Sequence, residues 1–144
     1  MKKNGIIVSV LAIVFVFITS DVNAQCDPEP HTSACVPKLS NGFNFLKTYN
    51  IDGQSGQKQK VEYSYVFTTG NQYMINVCSE NDSNDGIIVS LYDSKRNLVA
   101  SNDNSGQQLS GFVFPCTVSG IYYITYTFDG STSFCGGSAM GFKK

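Results

Sequence analysis

The sequence has no tryptophan and only one histidine, His31. Without an indole, the broad platform on which proteins commonly stack a sugar ring is missing. The single imidazole leaves little for nucleophilic catalysis, which needs a base beside the nucleophile. His31 sits in a stretch broken by Pro28, Pro30 and Pro37, between Cys26 and Cys35, and reads as a surface histidine near a disulfide. Gly53-Gln54-Ser55-Gly56 lacks the nucleophile-elbow spacing, in which a glycine follows two residues after the serine, and reads as a loop. Charge is scarce as well: 15% of residues, ten basic against eleven acidic, with no basic run longer than Lys95-Arg96 or Lys143-Lys144 after the N-terminal Lys2-Lys3. Phosphate binding needs a basic surface, so nucleic acid is not an expected partner.

Long apolar runs are also absent, apart from one. Met1-Lys2-Lys3-Asn4 precedes an apolar stretch from Gly5 to Thr19, followed by Val22-Asn23-Ala24 before Gln25. A basic start, a short apolar core and small residues at −3 and −1 are what export and cleavage machinery reads, so residues 1–24 are expected to be a signal peptide cut after Ala24. The run falls short of the roughly 20 residues that span a hydrocarbon core, and no membrane span is expected in the mature chain. Gln25 occupies the place where lipoprotein processing at Cys26 needs a small residue. The mature chain is the size of one ordinary domain, near neutral in charge, and secreted or periplasmic.

All five cysteines, Cys26, Cys35, Cys78, Cys116 and Cys135, follow the cleavage point. In an oxidising compartment they imply two disulfides and one free thiol. Sequence does not fix the pairing. Cys78 with Cys116 is preferred because each ends an expected strand, and Cys35 with Cys135 would then tie the ends of the domain and leave Cys26 in the tail. Cys26 with Cys35, closing a local loop, is the alternative. Cys26, His31 and Cys35 supply only three of the four ligands a structural zinc site wants.

What is abundant is alternation. Residues 25–42 are expected to form an irregular Cys- and Pro-containing arm, and 43–144 a β-sandwich domain. Phe43 to Lys47 suits a short strand or a turn of helix, and Asp52 to Gln57 a loop. Val61, Tyr63, Tyr65 and Phe67 fall on one face of a strand, as do Tyr73, Ile75 and Val77 of the next. With Gly70-Asn71 between them, these two segments read as an antiparallel hairpin. Ile87–Tyr92 and Leu98–Ala100 read as another, around Asp93 to Asn97. Phe112-Val113-Phe114 is a strand that Pro115 stops or leaves at an edge. Tyr122, Ile124, Tyr126 and Phe128 mark the strongest strand, and Ser138 to Phe142 can close a sheet. No window of the mature chain has a convincing helical period. Six or seven short strands with Gly/Asn/Asp/Ser turns describe an all-β, two-sheet antiparallel sandwich of jelly-roll or Greek-key type.

Phe67 to Val77, then Val89-Ser90-Leu91-Tyr92-Asp93, then Gly120-Ile121-Tyr122-Tyr123-Ile124 resemble the bacterial pre-peptidase C-terminal domain and its collagen-binding relatives. The resemblance covers about Val61 to Phe128. It implies a jelly-roll sandwich with an accessory rather than catalytic role, binding substrate or assisting secretion, and in some members calcium. The acidic pair that often opens the family's central strand is reduced to Asp85 here, and the cysteines suggest a stand-alone branch, expected without a preceding enzyme.

Two sets of residues remain as candidate sites. Glu80 to Gly86 offers hard oxygen ligands of the kind calcium takes: Asn81, Asp82 and Asp85, joined by Asp103 if the two polar loops meet. Tyr92 falls where a calcium loop places its bidentate glutamate, and a solvated turn accounts for the same residues. Tyr92 and Tyr123 fall out of phase with Leu91, Tyr122 and Ile124, so they form a contact patch if exposed and pack against neighbours otherwise. The expected function is a non-catalytic binding or adhesion module for an extracellular polymer or a cell-surface protein. The alternatives are a small secreted enzyme, marked by a pocket gathering Glu62, Glu80 or Asp103; an enzyme inhibitor; or an envelope assembly component.

Overall fold

A computed structural model describes residues 25–80 and 86–144; the expected signal peptide lies outside them. The described strands are β1 (Asn44–Asp52), β2 (Lys60–Phe67), β3 (Gln72–Cys78), β4 (Ile88–Tyr92), β5 (Leu98–Ser101), β6 (Asp103–Asn104), β7 (Gln107–Gln108), β8 (Gly111–Pro115), β9 (Gly120–Thr127) and β10 (Cys135–Lys143). Sheet A has the order β1-β10-β3-β8 and sheet B the order β2-β9-β4-β5, while β6 and β7 form a small separate ribbon. All pairings are antiparallel.

This order is that of a jelly roll. The pairs β1–β10, β2–β9, β3–β8 and β4–β5 are the nested rungs of one long hairpin, taken alternately into sheet A and sheet B. Pairing of β10 with β3 and of β9 with β4 then seals the roll. The all-β sandwich expected from alternation is therefore the fold observed.

The expected hairpin between β2 and β3 does not form. Gly70 and Asn71 make the turn, but the Gly70 N–H donates to the Cys116 carbonyl (3.0 Å) and the Cys116 N–H to the Asn71 carbonyl (2.9 Å), so the turn is tied to the end of β8. The two strands go to opposite sheets, and their apolar faces meet across the interior. Phe67 of β2 stacks on Tyr73 of β3 at 4.0 Å and on Tyr122 of β9 at 4.9 Å between ring centroids. Ile51, Ile75, Val89, Leu91, Ile124, Tyr126 and Met140 complete a fully buried core. The β4–β5 hairpin forms as expected, and β8, ending at Pro115, is an edge strand.

The arm is not wholly irregular. Glu29–Cys35 forms a short helix, α1, and Val36–Lys38 a 3-10 turn. Pro30 lies in the first turn of α1, where its missing N–H is not needed, and Glu29 favours the same end. Seven residues are too few to display a helical period in sequence. The helix lies on the outer face of sheet A over β10, where the outward positions are Gly137, Ala139 and Gly141. A Cβ on Gly137 would stand 2.3 Å from the Thr32 nitrogen, so the helix backbone rests directly on the strand.

Cys26 pairs with Cys135 and Cys35 with Cys78; both bonds staple the arm to sheet A. The preferred pairings, Cys78–Cys116 and Cys35–Cys135, are not formed, and neither is Cys26–Cys35. Gln72 pairs with Pro115, which puts Cys116 at the opposite end of β3 from Cys78, about 20 Å away at roughly 3.3 Å per residue. Cys116 is the free thiol, buried in the core. Two disulfides belong to an oxidising, extracytoplasmic compartment.

Candidate functional site

α1 and the 3-10 turn cover the β10 part of the outer face of sheet A and leave Val113 of β8 exposed, whereas no described helix packs on the outer face of sheet B. Alternation decides what it presents. Because Tyr63, Tyr65 and Phe67 of β2, Tyr122 and Ile124 of β9, and Val89 and Leu91 of β4 point inward, their neighbours Glu62, Ser64, Val66, Ile121, Tyr123, Thr125, Ser90 and Tyr92 point outward. Register then sets them in rows. Val66 stands opposite Ile121, Ser64 opposite Tyr123, and Tyr123 opposite Tyr92. Leu98 adjoins Tyr92 on β5.

Tyr92 and Tyr123 are direct cross-strand neighbours, but both are half-buried rather than exposed, and Tyr123 packs beneath Arg96. The turn between β4 and β5 adds a third member. Asp93 Oδ1 accepts hydrogen bonds from the Lys95 and Asn97 N–H groups at 2.8 and 2.9 Å, holding the turn tightly. These bonds and that from the Asn97 side chain, which acts most strongly, keep the Asp93 carboxyl below the usual aspartate range. Arg96 takes a left-handed conformation, φ 67°, and folds back over the sheet. Its guanidinium lies 3.5 Å from the Tyr123 ring centroid. Its Nη1 donates to Glu62 Oε2 at 2.8 Å, so one arginine spans from the β4–β5 turn across β9 to β2. Thr125 Oγ1 donates to the same oxygen at 3.1 Å, and Lys60 Nζ lies 3.7 Å from it. The Arg96 hydrogen bond is the main reason the Glu62 carboxyl is held below the usual glutamate range.

The result is a patch of two tyrosines and one fixed arginine, flanked by exposed aliphatic groups. Val66 is 62% exposed, Leu98 58% and Ile121 48%. No protein-family profile and no curated protein matches the sequence. Among solved structures the chain is similar to PliG of Aeromonas hydrophila, a periplasmic lysozyme inhibitor of g-type lysozyme, with a TM-score of 0.40 and 10% identity over 70% of this chain and 82% of that one. So distant a likeness transfers no function.

The other candidate residues are placed as follows. Asn81, Asp82 and Asp85 lie outside the described residues. Asp103, in β6, is exposed, and its Oδ1 accepts from the Gly106 N–H at 3.2 Å. Among the described residues no group of three or more His, Cys, Asp or Glu side chains is placed to hold a metal ion. Glu62, Glu80 and Asp103 stand on three different elements: β2, the loop after β3, and β6. Arg96 was not legible as a member of the site. Asp93 to Asn97 announces a turn, but not which way its longest side chain folds.

Proposed function

We propose that this chain is an extracytoplasmic, non-catalytic module that binds a protein partner through the outer face of sheet B. The observation that carries the reading is the Tyr92–Tyr123 pair with Arg96 fixed over it and Val66, Ile121 and Leu98 exposed around it. Tyrosine and arginine are the residues on which protein interfaces concentrate their energy, and an arginine already held by Glu62 loses little freedom on binding. The aliphatic surround, without tryptophan, suits a protein surface better than a glycan. An accessory role is also what the resemblance to pre-peptidase C-terminal domains implies. Inhibition of an enzyme is the special case in which the partner is itself a hydrolase, and export to the periplasm or beyond fits either case.

The test is surface plasmon resonance of the mature chain against a panel of extracellular polymers and secreted or surface proteins, hydrolases included, with Tyr92→Ala/Tyr123→Ala alongside the wild type. Saturable binding to a protein that weakens at least about ten-fold in the double variant supports the reading. Binding to polysaccharide alone, or protein binding that the double variant leaves unchanged, contradicts it.

A further inference from the structure

A second feature lies at the end of the sandwich where β2 begins and β9 ends. A cavity of about 680 Å³ opens there, lined by Lys58, Lys60, Asp129, Phe128, Phe134 and the backbone of Gly56, with Gln59 and Thr127 between them. That volume is in the range of small-ligand sites. Its floor is aromatic: the Phe128 and Phe134 rings lie 5.6 Å apart, and Phe128 is almost wholly buried.

The wall is held in place by the backbone. The Gly53 N–H donates to the Phe134 carbonyl at 2.7 Å, and the Gly53 carbonyl accepts from Gly56 and Lys58 at 3.0 Å each. Gly53 packs closely on this floor, since a Cβ would stand 2.8 Å from the Phe128 ring and 3.1 Å from the Phe134 carbonyl oxygen. Gln54 and Ser55 both take left-handed backbone angles, φ 49° and 54°, which non-glycine residues adopt at a cost and which recur in ligand-binding loops.

Charge narrows the ligand class. Two lysines and one aspartate are among the lining residues, and the Lys60 ammonium lies 3.7 Å from Glu62. About one positive charge is left uncompensated, which matches a monoanion rather than a phosphate dianion. Lysine without arginine offers a point charge rather than the planar fork that grips phosphate in two places. We propose that this cavity is a second binding site, for a carboxylate carried on an apolar body, the carboxylate at Lys58 and Lys60 and the body against Phe128 and Phe134. A free aryl or alkyl acid and the C-terminal residue of a polypeptide share this chemistry.

Titration of the oxidised chain followed by 1H–15N NMR tests it with three probes: 3-phenylpropionate, an N-acetylated tripeptide ending in phenylalanine with a free carboxylate, and the neutral 3-phenylpropionamide. At least one acid is expected to saturate at low millimolar concentration and to shift the Lys58, Phe128 and Phe134 signals, with the amide far weaker. Lys58→Gln is expected to weaken the acid about five-fold, more at low salt, while Lys47→Gln, which does not line the cavity, leaves it unchanged. A tighter tripeptide identifies a polypeptide terminus as the ligand, and equal or tighter 3-phenylpropionate a free acid. No saturation by either acid, equal binding of the amide, or an unchanged affinity in Lys58→Gln overturns the proposal. Lys58 is exposed, so its replacement leaves folding intact.

Discussion

The Arg96 guanidinium rests 3.5 Å from the centroid of the Tyr123 ring and at the same time donates to Glu62. One side chain thereby couples an aromatic contact to an ion pair across sheet B. Glu62 titrates below the usual glutamate range chiefly because of the Arg96 hydrogen bond. The folded chain holds this carboxylate more strongly than the unfolded chain does. The bridge therefore stabilises the fold fully above the unfolded glutamate value, and its contribution is lost as pH falls through the lower folded value. In Arg96→Ala the Glu62 titration, followed by carboxyl-detected NMR, is expected to move up toward the ordinary range, and the acid limb of the stability curve to become shallower. An unmoved titration would mean that Arg96 does not hold Glu62.

Gly137 admits no side chain. A methyl group there would fall 2.3 Å from the Thr32 nitrogen and 2.6 Å from the His31 carbonyl carbon, so Gly137→Ala must push α1 off β10. Overpacking of this kind costs about 1–3 kcal/mol. Gly120→Ala, whose Cβ meets nothing within 4 Å, is expected to stay within about 0.5 kcal/mol of wild type. Urea unfolding of the two variants measures the contrast, and equal effects would contradict the packing of α1.

Four of the five cysteines are oxidised, and Cys116 is the buried remainder. Thiol titration of the native chain is expected to find no reactive group, and titration in denaturant to find one. Peptide mapping without reduction should recover Cys26–Cys135 and Cys35–Cys78. Replacing Cys35 and Cys78 by serine should cost about 2–5 kcal/mol, the usual range for a native disulfide in a small exported domain.

Two tyrosines should respond to loss of their hydroxyl with opposite sign. The Tyr49 hydroxyl is buried with no hydrogen-bond partner among the described residues, whereas the Tyr63 hydroxyl donates to the Asn50 carbonyl at 2.7 Å. Tyr49→Phe is expected to leave stability unchanged or raise it by about 1 kcal/mol, and Tyr63→Phe to lower it by about 0.5–1 kcal/mol. Burial also pushes the Tyr49 phenol well above its ordinary value of 10.0. The folded chain resists ionising it, so stability falls as pH rises past 10, and Tyr49→Phe should soften that alkaline decline.

Much of this fold is legible wherever a property is local. Tyr122, Ile124, Tyr126 and Phe128 alternate because a strand has a period of two, and all four are buried. Asp93 to Asn97 carries turn chemistry, and the β4–β5 hairpin forms around it. Properties that depend on distant partners were not legible. The Gly70-Asn71 turn looks like a hairpin turn until Cys116 claims its hydrogen bonds. The pairing of Cys35 with Cys78 follows from α1 lying on β10, which depends on three small outward residues that carry no periodic signal. In the site, the phase of Tyr92 and Tyr123 against the core was readable from alternation. Their adjacency needed the β4–β9 register, and Arg96 needed the direction of a single turn.

If the outer face of sheet B docks the partner, a residue in that face touches it and one on α1, over sheet A, does not. The most direct measurement places a photo-crosslinking phenylalanine analogue at Ile121, in the open face, or at Ser33, exposed on α1, and irradiates the protein in the envelope of the cells that make it. One dominant protein adduct is expected from Ile121, absent from Ser33 and lost when Tyr92→Ala/Tyr123→Ala is added. The same adducts from both positions, adducts from Ser33 alone, or none from Ile121 would contradict docking on that face.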